Sequence, residues 1–462
     1  MSVTLALRQE HWSTLVAACD VPTETAAVLS LGLAETGDDL TLLVRDVTWV
    51  PSEGYAARAS DGLEITSSGW MPAVGRAAAA GGAAAFLHTH PGRSPVPSSA
   101  DQRVDQLLAE PFHLRTRQPY YVSVVLGGSS AAPSFTASVT SAEGTIRPVT
   151  KLRVIGDRLR VLSAATSQDV GPRYPGMAGS EMFDRQIRAF GQGGQRMLAR
   201  LHAGVVGAGG IGSAVAEQLV RLGVGSLTVL DDDVVTMTNL SRIHGSGQSD
   251  VGLHKTQLAA RVAQEVGTSA VHDIPFALRD EKMVRRLVHC DVIFGCTDDQ
   301  RGRGILNRLA YYYLIPVLDT GFVISSQDGQ VIGLDGRVTI VAPGTACLLC
   351  RGRIDPAAMR VESLSARERT ALVAEGYAPG LAEPDPSVVT YTTLVGSLAV
   401  HEMLARLFGF AGDAAAPSEL LLRAHANQIR SNTVTGQPAH FCTDPAIWGR
   451  GDTAPLLDQV WA

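Results

Sequence analysis

Cysteine is scarce in this chain: six residues among 462 (Cys19, Cys290, Cys296, Cys347, Cys350 and Cys442) are too few and too scattered for a disulfide-stapled scaffold. Charge of one sign is also missing. Lys plus Arg total 39 against 45 Asp plus Glu, a formal charge of −6. That leaves no basic stripe to neutralise a phosphate backbone, so nucleic acid is not expected as a partner. No uninterrupted apolar run reaches the ~20 residues a membrane span needs, and Met1 to Arg8 carries neither the basic nor the apolar region of a secretory signal. A cytoplasmic protein without membrane contact is therefore expected. Charged residues are 18% and hydrophobic residues 45%, which excludes a disordered chain and predicts buried cores. The length predicts two large domains or about three ordinary ones.

Small, polar, Gly and Pro residues without apolar periodicity run from Ala164 to Gly179 and read as a linker. Before it, Leu40–Val47 and Tyr120–Leu126 read as strands with a helix at Asp101–Leu108, an α+β arrangement. After it, strand-like runs at Gly204–Val206, Leu227–Leu230 and Val292–Phe294 alternate with helical stretches, which predicts βαβ units and a parallel sheet. The expected division is α/β overall, with domains at 1–160 and 181–412, a linker at 161–180 and a C-terminal tail at 413–462. Ala77–Ala85 is low in complexity and leads straight into the first chemical motif.

That motif is Phe86-Leu-His-Thr-His-Pro-Gly-Arg-Ser-Pro-Val-Pro-Ser-Ser-Ala-Asp101. Period-2 strand geometry puts His88 and His90 on one face, and a Pro-stiffened loop returns to a helix start where Asp101 is placed to add an oxygen ligand. Three protein ligands leave a fourth zinc position open for water, the pattern of a catalytic site. Glu24, at the head of an apolar stretch, is the candidate general base. Ser98 to Asp101 also spells a helix capping box, which needs no metal. His-x-His, seven residues, Ser, two residues, Asp resembles the JAMM (MPN or JAB) zinc isopeptidases, over roughly residues 10 to 150. The resemblance implies a cytidine-deaminase-like α+β fold, zinc on His88, His90 and Asp101, water activation by Glu24, and a hydrogen bond from Ser98 to the tetrahedral oxyanion.

A second constellation follows the linker. Val205-Val-Gly-Ala-Gly-Gly-Ile-Gly212 places glycines between a strand and a helix whose apolar positions are Val215, Leu219 and Leu222. Gly207, Gly209 and Gly212 let backbone N–H groups approach phosphate, and Asp231, 19 residues after Gly212, is spaced to hold a ribose. This alone fits an NAD dehydrogenase equally well. Asn239, Arg242 and Lys255 add side-chain donors suited to the phosphates of ATP, and Asp298, at another strand end, is placed to hold magnesium.

This series resembles the MoeB/ThiF branch of ubiquitin-activating enzymes over about residues 181 to 412. The resemblance implies a Rossmann-like adenylyltransferase in which Gly209 and Asp231 contact nucleotide, Asn239 to Arg242 form the Asn-Leu-x-Arg segment, Lys255 serves the phosphates and Asp298 is the essential aspartate. Family members usually carry Asn where this chain has Asp299. Phe183-Asp-Arg-Gln-Ile187 resembles the opening segment whose arginine, here Arg185, reaches into a partner's ATP site, which implies a homodimer. Cys347 and Cys350 look like half of the family's structural zinc site. Cys442, with His440 nearby, is the candidate to complete it, against a reading of two reduced buried thiols. Cys290 and Cys296 read as strand packing. No cysteine lies between Cys350 and Cys442, so the adenylate is expected to pass directly to an amine or sulfur acceptor unless Cys347 or Cys350 acts.

The leading expectation is therefore ATP-dependent adenylation of the C-terminal carboxylate of a ubiquitin-like or sulfur-carrier protein, fused to a zinc isopeptidase that processes or deconjugates it. Alternatives are adenylation of a short peptide or metabolite beside a tailoring amidohydrolase, an NAD-binding oxidoreductase with a metal-free module, and a scaffold with degenerate sites.

Overall fold

A computed structural model describes residues 2–165, 181–364, 368, 386–410, 412, 416–459 and 461. The expected linker thus lies mostly outside the described residues, and its first part does not: Arg160–Ser163 is a strand, because Val161 and Leu162 pair with Lys151–Ile155. The chain forms two compact units. One comprises the described residues of Met1–Val170 with Tyr312–Leu314 and Asp444–Asp458; the other takes those of Gly171–Tyr311, Ile315–Thr443 and Gln459–Ala462.

The first unit is built on a nine-stranded sheet. In spatial order its strands are Arg160–Ser163, Lys151–Ile155, Val3–Arg8, Asp39–Trp49, Ala26–Thr36, Ala83–Pro91, Tyr120–Gly128, Pro133–Ser141 and Ile146–Pro148. The Ala-rich run expected as low complexity ends the helix Ser67–Ala79, turns at Gly81 (φ +70°) and becomes the central strand Ala83–Pro91. Small side chains suit that position because both faces are covered. Ala85 and Leu87 join a core with Leu29, Leu42, Val122 and Trp12, while Ala84 and Phe86 pack with Val74, Phe112 and Tyr121. Each large apolar side chain buried in this way contributes about 1.5–3 kcal/mol. The helix expected over Asp101–Leu108 runs from Ser99 to Thr116, with Phe112 buried on the second core.

The second unit carries an eight-stranded sheet: Ala270–Ile274, Ser226–Leu230, His202–Val206, Val292–Gly295, Val317–Gln327, Gln330–Val341, Glu419–Arg423 and Gln428–Asn432. The first five strands are parallel and the last three antiparallel. The region expected as a tail therefore supplies two strands, since Leu420 and Leu422 carry the alternation that buries one face. Strand order reverses between His202–Val206 and Val292–Gly295, which opens a crevice at their carboxyl ends. In the sequence, residues 376–393, rich in Gly and Pro, read as a loop entering a helix over 394–407; up to 385 this stretch lies outside the described residues, and the helix starts earlier, running Val389–Phe408. Among the described residues no helix is long and apolar enough to cross a membrane.

Candidate functional site

Strand alternation continues past Phe86 and puts His88 and His90 on the Ala84–Phe86 face. Ala26 pairs with His88 in an antiparallel register, so Glu24 arrives opposite His90. Glu24 leads into a strand and does not open a helix: its N–H donates to the Ala59 carbonyl at 2.8 Å, and the Glu24 carbonyl accepts from Arg58 Nε at 2.7 Å. Both histidines and Glu24 are buried.

His88 Nε2 and His90 Nε2 are 3.1 Å apart, and Asp101 oxygens lie 3.4 Å from the first and 3.5 Å from the second. Ligands at about 2.0–2.1 Å around a tetrahedral zinc stand about 3.3–3.4 Å from one another; these separations are of that size, with Oδ1 of Asp101 facing His88 and Oδ2 facing His90, and one ligand atom from each of the three side chains lies within 4.8 Å of the others. Two local devices hold them. His90 Nδ1 lies 3.0 Å from the Ser94 carbonyl, which, with the proton on Nδ1, leaves Nε2 as a lone pair. Ser98 N–H donates to Asp101 Oδ2 at 2.6 Å while Ser98 Oγ accepts from the Asp101 N–H at 3.2 Å. The capping box and the ligand geometry coexist: the box aims the carboxylate, and the Ser98 hydroxyl keeps its proton to donate. Burial works against Asp101 ionisation, but its polar neighbours His88, His90 and Ser98 outweigh it and hold it far below the usual carboxylate range. Sequence reasoning passed over Arg93, whose Nη2 donates to Glu24 Oε1 at 2.6 Å and to the Ser60 carbonyl at 2.7 Å. An arginine in a Pro-rich loop between metal-type residues was its only signal.

In the second unit each glycine of the loop answers a different need. A Cβ on Gly212 would sit 1.7 Å from the Gly207 carbonyl oxygen, and Gly207 has φ +92° against the Cys296 backbone. Gly209 meets nothing within 4 Å, so the protein's own packing does not require it; the open side is where a ligand's phosphates can approach the backbone. Asp231 braces this turn, accepting from Ala208 N–H at 2.6 Å and Asp233 N–H at 2.9 Å, and burial raises its carboxyl. Lys255 Nζ stands 2.6 Å from Asp233 Oδ2 and 3.7 Å from Asp231 Oδ1. A small pocket beside this turn is lined by Ala208, Ser213, Glu217, His244 and Lys255 among others. Asn239 is buried in the turn Met237–Asn239, its Oδ1 accepting from Thr236 N–H at 3.3 Å. Arg242 Nη1 donates to the Thr238 carbonyl at 2.9 Å. Asp298 is exposed on the loop after Val292–Gly295, and Arg185 is exposed on the helix Asp184–Arg200. Asp299, where an Asn contact is lacking, caps the helix Gln300–Tyr312 by accepting from Arg301 and Gly302 N–H.

Cys347, Cys350, Cys442 and His440 converge, with all four candidate ligand atoms within 4.8 Å of one another. Cys350 and Cys442 sulfurs are 3.7 Å apart, and His440 Nδ1 is 3.5, 3.5 and 3.2 Å from Cys347, Cys350 and Cys442. Zinc with sulfur at about 2.3 Å and nitrogen at about 2.0 Å sets these edges at about 3.8 and about 3.5 Å, so the four side chains fit a closed tetrahedral ion. Cys442 and His440 stand at the two corners that a second Cys-x-x-Cys would have occupied. The hydrogen bond from Cys442 draws the Cys347 thiol down to about 5, the thiolate character a metal ligand needs. Cys290 is fully buried, and desolvation pushes the Cys296 thiol up to about 12, so neither is an activated nucleophile.

Residues 183–443, more than half of the chain, match the ThiF family. The chain is 30% identical over 180 residues to the molybdopterin-synthase adenylyltransferase of Salmonella typhimurium, covering 37% of this chain and 68% of that protein. It is 28% identical over 177 residues to the Escherichia coli protein of the same name, again 37% and 68%. Identity to the SAMP-activating enzyme E1 of Haloferax volcanii is 30% over 161 residues, 35% of this chain and 56% of that protein, so the chain spans little more than half of that relative's length. Among solved structures, E. coli MccB with ATP is similar at 17% identity and a TM-score of 0.44, covering 58% of this chain and 76% of that one.

Proposed function

Since the chain belongs to the ThiF family, we propose that its second unit adenylates the C-terminal carboxylate of a small ubiquitin-like or sulfur-carrier protein, and that its first unit is a JAMM-type zinc hydrolase acting on the same class of substrate. The observation that carries the first half is Lys255 held at the crevice floor, 3.7 Å from Asp231, beside a loop whose Gly209 faces open space. A dinucleotide site cradles its pyrophosphate on backbone; a lysine stationed here is suited to the spread charge of a triphosphate under attack.

In this reading the carboxylate attacks the α-phosphorus of ATP and pyrophosphate leaves, with the acyl-adenylate as product. Backbone N–H groups around Gly209 and the start of the helix Gly210–Arg221 hold phosphate oxygens. Lys255 and Arg242 neutralise charge on the departing pyrophosphate, Asn239 shapes the turn that presents Arg242, and Asp231 faces the ribose. Asp298 would hold Mg²⁺, which screens the phosphate oxygens. Arg185 is assigned to the site of a second copy, making the working form a homodimer. The relatives named for molybdopterin synthase and SAMP activation support a small carrier protein as the acyl substrate.

For the first unit, the convergence of His88 Nε2 and His90 Nε2, 3.1 Å apart, on the Asp101 carboxylate, whose Oδ1 is 3.4 Å from the first and Oδ2 3.5 Å from the second, carries the proposal. Zinc bound there would polarise a scissile carbonyl and acidify water. Glu24 takes the water proton and returns it to the leaving amine, and the Ser98 hydroxyl donates to the oxygen that gains charge. Cys347, Cys350, His440 and Cys442 would hold a second, structural zinc. Mass spectrometry of a small β-grasp protein ending in glycine, incubated with the enzyme, ATP and Mg²⁺, tests the adenylation: a gain of one AMP on its C-terminus is expected. Persistent absence of the adduct with folded carriers, alongside adduct formation on short peptides, would favour a biosynthetic peptide as substrate.

A further inference from the structure

Asp319 lies on the strand Val317–Gln327 in parallel register with Gly295, three residues before Asp298. It is completely buried, and two cations close on it: Arg337 Nη1 at 2.5 Å from Oδ2 and Arg303 Nε at 3.5 Å from Oδ1. Arg303 belongs to the helix that starts directly after Asp298 and Asp299, so this cluster stands beside the magnesium-type aspartate at the carboxyl end of the parallel strands. One carboxylate against two guanidiniums leaves a surplus positive charge.

The surplus has a direction. Arg337 spends Nη1 on Asp319 and on Thr339 Oγ1, 3.0 Å away. Its other edge, Nε and Nη2, has no hydrogen-bond partner among the described residues and is not buried. That edge lies flat over Gly321, where a Cβ would come within 3.3 Å of Nε and 3.4 Å of Nη2. Nε with Nη2 is the pair of parallel donors that matches a carboxylate's two oxygens. An arginine 12% exposed, pinned from behind by a buried aspartate and laid over a glycine, is oriented before any ligand arrives. Loop and cap geometry require none of this.

We propose that Arg337, oriented by Asp319 and Gly321, is the seat for the acyl substrate's free C-terminal carboxylate before it attacks ATP. This rests on the adenylation reading for the identity of the substrate, and it adds a selection step. A chain with a blocked or amidated terminus loses both charge and bidentate geometry and is rejected on binding. Arg337 is a positioning residue here; it holds the carboxylate in reach, and the phosphate-side cations act afterwards.

Two synthetic peptides ending in glycine, one with a free carboxylate and one amidated, are titrated by fluorescence anisotropy into the full chain with a non-hydrolysable ATP analogue and Mg²⁺. Wild type is expected to bind the acid at least tenfold tighter than the amide. Arg337→Met is expected to bring the ratio near one without changing analogue affinity, and Arg337→Lys to recover part of it. Because Arg337→Met strands a buried carboxylate, Arg337→Met with Asp319→Asn is measured alongside, and it is expected to fold as wild type and to show the same lost ratio. A wild type that does not discriminate, or either Met variant that keeps the tenfold ratio, overturns the proposal. Full discrimination in a wild type that never forms an acyl-adenylate would instead remove the adenylation reading and leave the carboxylate seat standing.

Discussion

Arg93 Nη2 donates to Glu24 Oε1 at 2.6 Å, and the same oxygen stands 3.9 Å from His90 Nε2. Glu24 is thus oriented toward the metal-type triangle by a cation on the loop that connects two of its corners. Replacing Glu24 by Gln keeps the shape and removes the base, so peptide hydrolysis is expected to fall about 10²–10⁴-fold. Zinc content by mass spectrometry should not change. A variant that hydrolyses at the wild-type rate would remove Glu24 from the chemistry.

The two tetrahedra predict separable metals. His88→Ala should cost one zinc equivalent and the hydrolase activity while leaving adenylation intact. Cys347→Ser should cost the other equivalent and lower the melting temperature of the second unit, because the four ligands tie the Cys347–Cys350 turn to His440 and Cys442. Inductively coupled plasma measurements and thermal scans on both variants decide this; loss of both ions in one variant would contradict it.

Lys255 is a point charge with its ammonium already placed between Asp231 and Asp233. Lys255→Ala is expected to slow adenylation by about 10²–10³-fold, the scale of losing one donor to developing charge. Steady-state turnover checks it, with carrier KM expected to move little.

Glu419 is fully buried and meets Arg353 at 2.9 and 3.1 Å, Thr339 at 2.8 Å and Asn432 at 2.6 Å. Burial raises its carboxyl, but these partners outweigh it and bring the value down from 4.5 to about 2. A folded-state value below the unfolded one means the stabilisation is complete above about pH 4.5 and is lost as the pH falls through about 2. Glu419→Gln leaves buried Arg351 without its anion and should destabilise the unit by about 3 kcal/mol at neutral pH. Urea titrations from pH 2 to 7 should show the wild type losing this difference on the acid side only.

What was legible in the sequence divides along the range of the forces involved. Gly207 and Gly212 are local requirements of one turn, Gly209 falls between them in the same short motif, and His88 with His90 follows from strand alternation, so spacing alone finds them. His440 was readable only as a companion of Cys442 that could complete the set, because Cys347 and Cys350 lie 93 and 90 residues away and no fixed spacing ties the two halves together. Asp319 and Arg337 look like single charges interrupting apolar strands until antiparallel pairing brings the two strands together. A charge inside a run such as Ile315-Pro-Val-Leu-Asp-Thr320 was the available signal. The two strands in the presumed tail were missed because only the core of a sheet formed much earlier in the chain gives Leu420 and Leu422 somewhere to go.

Exchange of labelled pyrophosphate into ATP is the most direct measure of whether a triphosphate is activated over the Gly209 turn. With Mg²⁺ and a small carrier protein ending in glycine, exchange should rise well above the carrier-free rate and be insensitive to added NAD. Exchange that ignores every carrier, together with tight NAD binding that ATP does not displace, would contradict the account.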